Sequence, residues 1–194
     1  MKKIDLQDCL YQTELPNHES IKEVLLSLIE KDVAPSYSRT PEYMDSISKV
    51  DWATADNFNR EWVKLFLPNF DMVLSEVYAD SAYAQMSVKQ VWYQQYLQND
   101  EHNWHLHGEH MTGVYYLELG DDSSRTELMC PLNNSFQTVD VKEGDIILFP
   151  AHIVHRGMLN QGSRKTIVSF NYSYSDKINT PFVLASYESV HSKA

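Results

Sequence analysis

The chain is 194 residues long, 43% hydrophobic, and carries a formal net charge of −11, which suits one domain with a sizeable core. With no basic stripe in the sequence, that charge weighs against nucleic acid as a partner, because such binding draws most of its affinity from clustered Lys and Arg. No apolar run approaches the roughly 20 residues that cross a bilayer, and Met1-Lys2-Lys3-Ile4-Asp5 lacks the apolar core of a secretory signal, so the expectation is a soluble cytoplasmic protein with no membrane partner.

The first third reads as helical. Ile21, Val24, Leu25, Leu28 and Ile29 recur three and four apart, which predicts a helix over Glu19–Lys31 with a core-facing stripe. Ala34-Pro35-Ser36 opens a polar, loop-like stretch that reaches Asp51. A second helix is predicted over Asp56–Tyr78, with Phe58, Trp62, Leu65 and Phe66 on one side and Pro68 either kinking it or starting a further helix. Cys9 and Cys130 are too few and too distant for a disulfide framework or a thiolate metal site and read as free thiols.

From about Ser87 the period changes to that of strands. The predicted strands are Val88–Leu97, Asn103–His107, Gly113–Leu119, Glu127–Cys130, Thr138–Val141, Asp145–Phe149 and Lys165–Tyr174. Lys142-Glu143-Gly144-Asp145 reads as a tight turn in which Gly144 supplies an unusual backbone angle. Short strands in succession without intervening helices predict a mainly β fold with flanking helices. Its core is a double-stranded β-helix, a cupin-like jelly roll, over residues 87–176. A mostly helical portion (1–86) buttresses that core, a tail (177–194) follows it, and the whole forms a single domain.

Six of the eight histidines fall between His102 and His155. His105 and His107 stand at alternate strand positions and so point to one side, where both could grip one ion with His155 brought in by the fold. Three ligands on one face leave the other open for oxygen and a chelating cosubstrate. His102 and His110 read as exposed loop residues. Arg164 follows His155 by nine residues (164 − 155) and shares a strand face with Thr166, Val168 and Phe170. Its planar fork and the Thr166 hydroxyl are expected to converge on one carboxylate inside the barrel. Trp92, Tyr93, Tyr96 and Trp104 are candidates to line the substrate mouth.

Over about Val88 to Tyr174 these residues resemble the iron(II) and 2-oxoglutarate-dependent dioxygenases, especially their prolyl-hydroxylase-like branch. In that family a His-x-acid pair and a distal His bind iron, and an Arg in an Arg-x-Ser/Thr setting binds the far carboxylate of 2-oxoglutarate. Here His105-Leu106-His107 stands at the first position, the segment from Gly144 to His155 at the second, and Arg164-Lys165-Thr166 at the third. The resemblance also implies that Tyr116, in Thr112-Gly113-Val114-Tyr115-Tyr116-Leu117, joins the cosubstrate carboxylate.

The chain departs from the family in having His107 where an acid is usual. The third ligand is then His107 in an all-histidine triad, or Glu109 in a pair shifted to His107-Gly108-Glu109. The first is preferred, because Glu109 leaves little chain to turn before the next strand. The resemblance implies an enzyme that uses iron(II), 2-oxoglutarate and molecular oxygen to hydroxylate a carbon of a peptide, amino acid or other small molecule, releasing succinate and carbon dioxide. Its substrate would be set by loops such as Asp121–Arg125 and Pro131–Gln137. The alternatives are a cupin-like metal-binding protein, a dioxygenase or isomerase independent of 2-oxoglutarate, and a non-catalytic binding module.

Overall fold

The computed structural model describes residues 10–36, 45–80, 86–130 and 132–174. Cys9, Met1–Asp5, Pro131 and the tail from residue 177 onward lie outside the described residues. In chain order the elements are β1 (Tyr11–Glu14), α1 (His18–Lys31), β2 (Lys49–Val50), a 3-10 turn (Trp52–Thr54), α2 (Glu61–Asp80), β3 (Met86–Leu97), β4 (His102–His105), β5 (Met111–Leu119), β6 (Thr126–Met129), β7 (Phe136–Thr138), β8 (Asp145–Pro150), β9 (His155–Gly157) and β10 (Arg164–Tyr174). They build a six-stranded sheet in the order β1-β8-β5-β10-β3-β2 and a four-stranded sheet in the order β4-β9-β6-β7. The pairings in both are antiparallel.

The larger sheet is covered on both faces, so its strands carry two apolar rows instead of one. One row (Tyr93, Tyr115, Leu148, Val168, Phe170) packs with Leu25 and Ile29 of α1 and Trp62, Phe66 and Phe70 of α2. The other (Trp92, Tyr96, Val114, Tyr116, Ile147, Phe149, Ile167) forms a second cluster between the sheets. Alternation assigns each side chain to one of these layers.

Helix α1 begins at His18, one residue before the predicted start, and its acidic first turn (Glu19) and basic last turn (Lys31) suit the helix dipole. Val24, counted in the predicted stripe, is half exposed, while Leu26 is buried. Helix α2 starts at Glu61, not Asp56, because Asn57 organises the approach. Its Oδ1 accepts the Asn59 N–H (3.0 Å) and its carbonyl accepts the Arg60 Nε–H (2.8 Å). Pro68 lies inside an uninterrupted helix and starts nothing new.

Three short strands were not predicted. β1 covers the edge of β8, β2 pairs with β3, and β9 joins β4 to β6. With two to four residues each they carry too few alternations to be read. β7 falls at Phe136–Thr138, ahead of the predicted Thr138–Val141, although Val139 and Val141 still reach the inner core. Gly144 has the expected positive angle (φ 90°), and its turn carries the chain from the smaller sheet into β8.

Gly113 marks a close approach of layers: a Cβ there would meet the Phe170 ring at 2.4 Å and the Ile147 carbonyl oxygen at 2.6 Å. The backbone oxygen cannot swing aside. Gly113→Ala is therefore expected to destabilise the fold by about 1–3 kcal/mol, read as a lower thermal midpoint with unchanged far-ultraviolet dichroism. Among the described residues no helix is long and apolar enough to cross a membrane.

Candidate metal centre

β4 and β9 are neighbours in the smaller sheet, and their register places His105 opposite His155. Strand β4 ends at His105, and the chain then crosses toward the larger sheet, pinned by the His107 N–H bond to the Ala151 carbonyl (2.9 Å) and by the Ala151 N–H bond to the His110 carbonyl (3.0 Å). The three imidazoles converge. Ring centroids lie 4.2 Å apart for His105 and His155, 5.1 Å for His107 and His155, and 5.2 Å for His105 and His107. One ring nitrogen from each falls within 4.8 Å of the others, and no further group of this kind occurs among the described residues.

Hydrogen bonding shows which nitrogens are available. His105 Nδ1 is 2.7 Å from the Asn103 carbonyl and His155 Nδ1 is 2.9 Å from the Ile153 carbonyl. A carbonyl only accepts, so in both rings Nδ1 carries the proton and Nε2 keeps its lone pair, as metal-ligating histidines require. Burial pushes His155 down to about 3, helped by the facing His105, and His107 down to about 4; burial also lowers His105. All three rings are thus neutral near pH 7. A set of neutral imidazoles with converging nitrogens, His155 buried and the other two part-buried, fits a divalent ion such as iron, nickel or zinc.

Glu109, the alternative third ligand, turns away from this group, and its carboxylate accepts a hydrogen bond from Ser173 Oγ. His102 is not an exposed loop residue as expected. A register shift between His102 and His105 brings both rings to one side, where they stack at 3.8 Å. Gln94 Nε2 lies 3.2 Å from His102 Nδ1. His110 is exposed and stacks on Tyr174.

Arg164 and Thr166 require a correction. Both share the strand face of Val168 and Phe170, but that face packs toward the helices, outside the barrel. They do converge on one carboxylate, that of Glu118. Arg164 donates from Nε and Nη2 at 2.8 and 2.9 Å and Thr166 Oγ1 donates at 2.8 Å, while Arg164 Nη1 reaches Glu30 of α1 at 2.6 Å.

A cation that does face the interior is Lys165, which sequence reasoning missed. It is buried, its Nζ donates to the Ser124 carbonyl and hydroxyl at 3.1 and 2.9 Å, and it stands 4.4 Å from the Tyr96 ring centroid. Burial, with Arg125 nearby, pushes its ammonium down to about 7. Tyr116 faces the same interior, donates its hydroxyl to Thr126 Oγ1 at 2.7 Å, and is pushed up to about 12 by burial.

Of the substrate-lining candidates, Trp92 packs 5.6 Å from His107 and Tyr96 lies under Lys165. Tyr93 faces the helices, 5.6 Å from Trp62, and so does not line the interior. Trp104 alternates with His105 and packs instead against the Arg156 guanidinium (4.5 Å) and Phe136 (5.2 Å), on the outer face of the smaller sheet.

The chain matches no protein-family model and no curated protein sequence. Solved structures do superpose on it. An oxidoreductase of the 2OG-Fe(II) oxygenase family from Burkholderia pseudomallei is 11% identical, with a TM-score of 0.68 over 88% of this chain and 87% of that one. A prolyl-4-hydroxylase from Pseudomonas putida is 12% identical, with a TM-score of 0.63 over 86% and 93%. HygX from Streptomyces hygroscopicus, solved with nickel, 2-oxoglutarate and hygromycin B bound, is 10% identical, with a TM-score of 0.64 over 87% and 84%. At these identities the likeness is one of fold, and the fold is the jelly roll of the 2-oxoglutarate oxygenases.

Proposed function

We propose that this protein is an iron(II)- and 2-oxoglutarate-dependent oxygenase that hydroxylates a carbon of a peptide or small molecule, with release of succinate and carbon dioxide. The observation that carries the reading is one interior that holds both a converging histidine triad and a buried lysine. His105, His107 and His155 are the metal ligands. Iron(II) bound there would supply the oxygen activation that couples decarboxylation of the cosubstrate to hydroxylation.

Lys165 takes the anchoring role first read into Arg164. Its ammonium is an inward-facing charge that can meet the far carboxylate of 2-oxoglutarate, in a site dry enough to strengthen the pair. Tyr116, which faces the same interior and donates its hydroxyl to Thr126, is the hydroxyl partner this reading assigns to that carboxylate. Three neutral imidazoles bring no negative charge to the site, so the two carboxylates of the cosubstrate supply that compensation. Trp92 and Tyr96 form apolar wall and exclude water.

The test is anaerobic titration of the iron(II)-loaded protein with 2-oxoglutarate, following the weak visible charge-transfer band of a chelated keto acid. Stoichiometric iron without a band would sink the oxygenase reading. The titration should also depend on pH. With the Lys165 ammonium pushed down to about 7, the free protein loses the binding charge above that pH, and 2-oxoglutarate must bind with uptake of a proton. Half-saturation is expected to rise by up to about tenfold per pH unit above pH 7. In Lys165→Arg, whose guanidinium stays charged, that slope should vanish.

A further inference from the structure

His105 and His155 are both held by a main-chain carbonyl two residues back, but His107 is not. Its Nδ1 faces the side-chain amide of Asn171, 3.5 Å from Nδ2. An amide nitrogen only donates, so in this arrangement Nδ1 accepts and the ring proton sits on Nε2, the opposite tautomer from the other two rings. That tautomer withholds the Nε2 lone pair. Both partners of the Asn171 amide, His107 and Gln90, lie at its Nδ2 end; its other end, now Oδ1, is buried without one, and either orientation leaves the atom there unpaired.

A half-turn of the Asn171 amide exchanges the two atoms. Oδ1 then accepts Nδ1–H from His107 and frees Nε2 for an ion. The second contact at the Asn171 Nδ2 position is Gln90 Oε1, at 2.9 Å. Gln90 is exposed, so its own amide can turn in step and present a donor to Oδ1. Asn171 lies opposite Gln90 where the β10–β3 register shifts, an irregularity of the kind that re-aims a side chain. A carboxylate in place of His107 would carry no ring proton and need no such partner.

We propose that Asn171, backed by Gln90, is the positioning residue for His107: turned one way its amide withholds the third ligand, and turned the other it completes the triad. The inference rests on reading the triad as a metal centre.

The experiment is anaerobic titration of the metal-stripped full chain with Co(II), followed by visible absorption, on wild type, Asn171→Leu, Asn171→Asp and Gln90→Glu, with thermal unfolding as a check on folding. Asn171→Leu removes the acceptor and should weaken Co(II) binding by about 10–100-fold. Asn171→Asp offers only acceptors and should bind at least as tightly as wild type. Gln90→Glu should weaken binding, because an acceptor-only carboxylate at position 90 holds the Asn171 amide in the withholding orientation. A nearby negative charge acting simply on the ion would tighten binding instead. Equal affinity of Asn171→Leu and wild type, equal loss in both Asn171 variants, or tighter binding by Gln90→Glu overturns the inference. If wild type itself takes up no Co(II), the metal-centre reading falls and takes this inference with it; if wild type binds and the variants follow it unchanged, this inference falls alone.

Discussion

Lys165→Met is expected to raise the 2-oxoglutarate concentration for half-saturation at least about thirtyfold, whereas Arg164→Ala leaves it within about twofold. Truncating one partner of a buried, hydrogen-bonded charge pair costs about 2–5 kcal/mol, and each 1.4 kcal/mol is a factor of about ten. Lys165 is buried on the inner face, and methionine keeps most of its stem packing on Tyr96 while deleting the charge. The same change removes a buried ammonium whose desolvation opposes folding, so the thermal midpoint should hold even as cosubstrate binding collapses. Arg164→Ala behaves in the opposite sense. It unties Glu118 and Glu30 at a partly exposed position, a stability loss of about 0–1 kcal/mol, and touches nothing in the interior. Measuring both variants for 2-oxoglutarate half-saturation and thermal midpoint decides the assignment: loss of cosubstrate binding in Arg164→Ala, with Lys165→Met unaffected, would return the role to the arginine.

The choice between neighbouring residues 164 and 165 shows where the sequence stops being legible. In a strand with one wet face, alternation says which residues point inward. β10 has no wet face: Val168, Phe170 and Tyr172 pack on the helices, and Ile167 faces the inner cluster, so both rows look like core. A usable signal was the polar punctuation of one row. Ser169, Asn171 and Ser173 share parity with Lys165, and a strand row that buries polar groups is the one facing a site. Arg164 looked functional because it is an arginine, but its placement was set by Glu118, brought directly opposite Thr166 by a register shift next to Ile167. No local pattern announces such a shift.

The triad was more legible, because His105 and His107 stand two apart and His155 closes the segment from Gly144 that matches the second position of the family pattern. Even so, β4 ends before His107, and alternation within a strand does not account for its placement. Its position comes from the backbone bond to Ala151, a contact across 44 residues of sequence (151 − 107) that periodicity cannot see. His102 was misread for a related reason: an irregularity in β4 turns it inward, onto His105. The helices were found readily, since a 3.6-residue stripe over fourteen or twenty residues repeats several times within one element.

His155→Ala is expected to abolish stoichiometric iron(II) binding and, with it, any turnover that consumes 2-oxoglutarate. His155 is the most deeply placed of the three rings, its Nδ1–H is fixed on the Ile153 carbonyl, and the other two rings lie within about 5 Å of it. Deleting it removes a donor outright, so the loss in affinity should exceed the roughly 10–100-fold that follows from losing a mere orienting partner. His152→Ala, which removes an exposed imidazole outside the converging group, should bind iron(II) as wild type does. His107→Asp makes the sharper comparison. It replaces a neutral ligand by a charged one at the same position, so iron(II) binding should survive that change and fail in His155→Ala. Binding measured by equilibrium dialysis separates specific from adventitious uptake: if all three variants retained one ion per chain, the histidines would be bystanders and the metal would lie elsewhere.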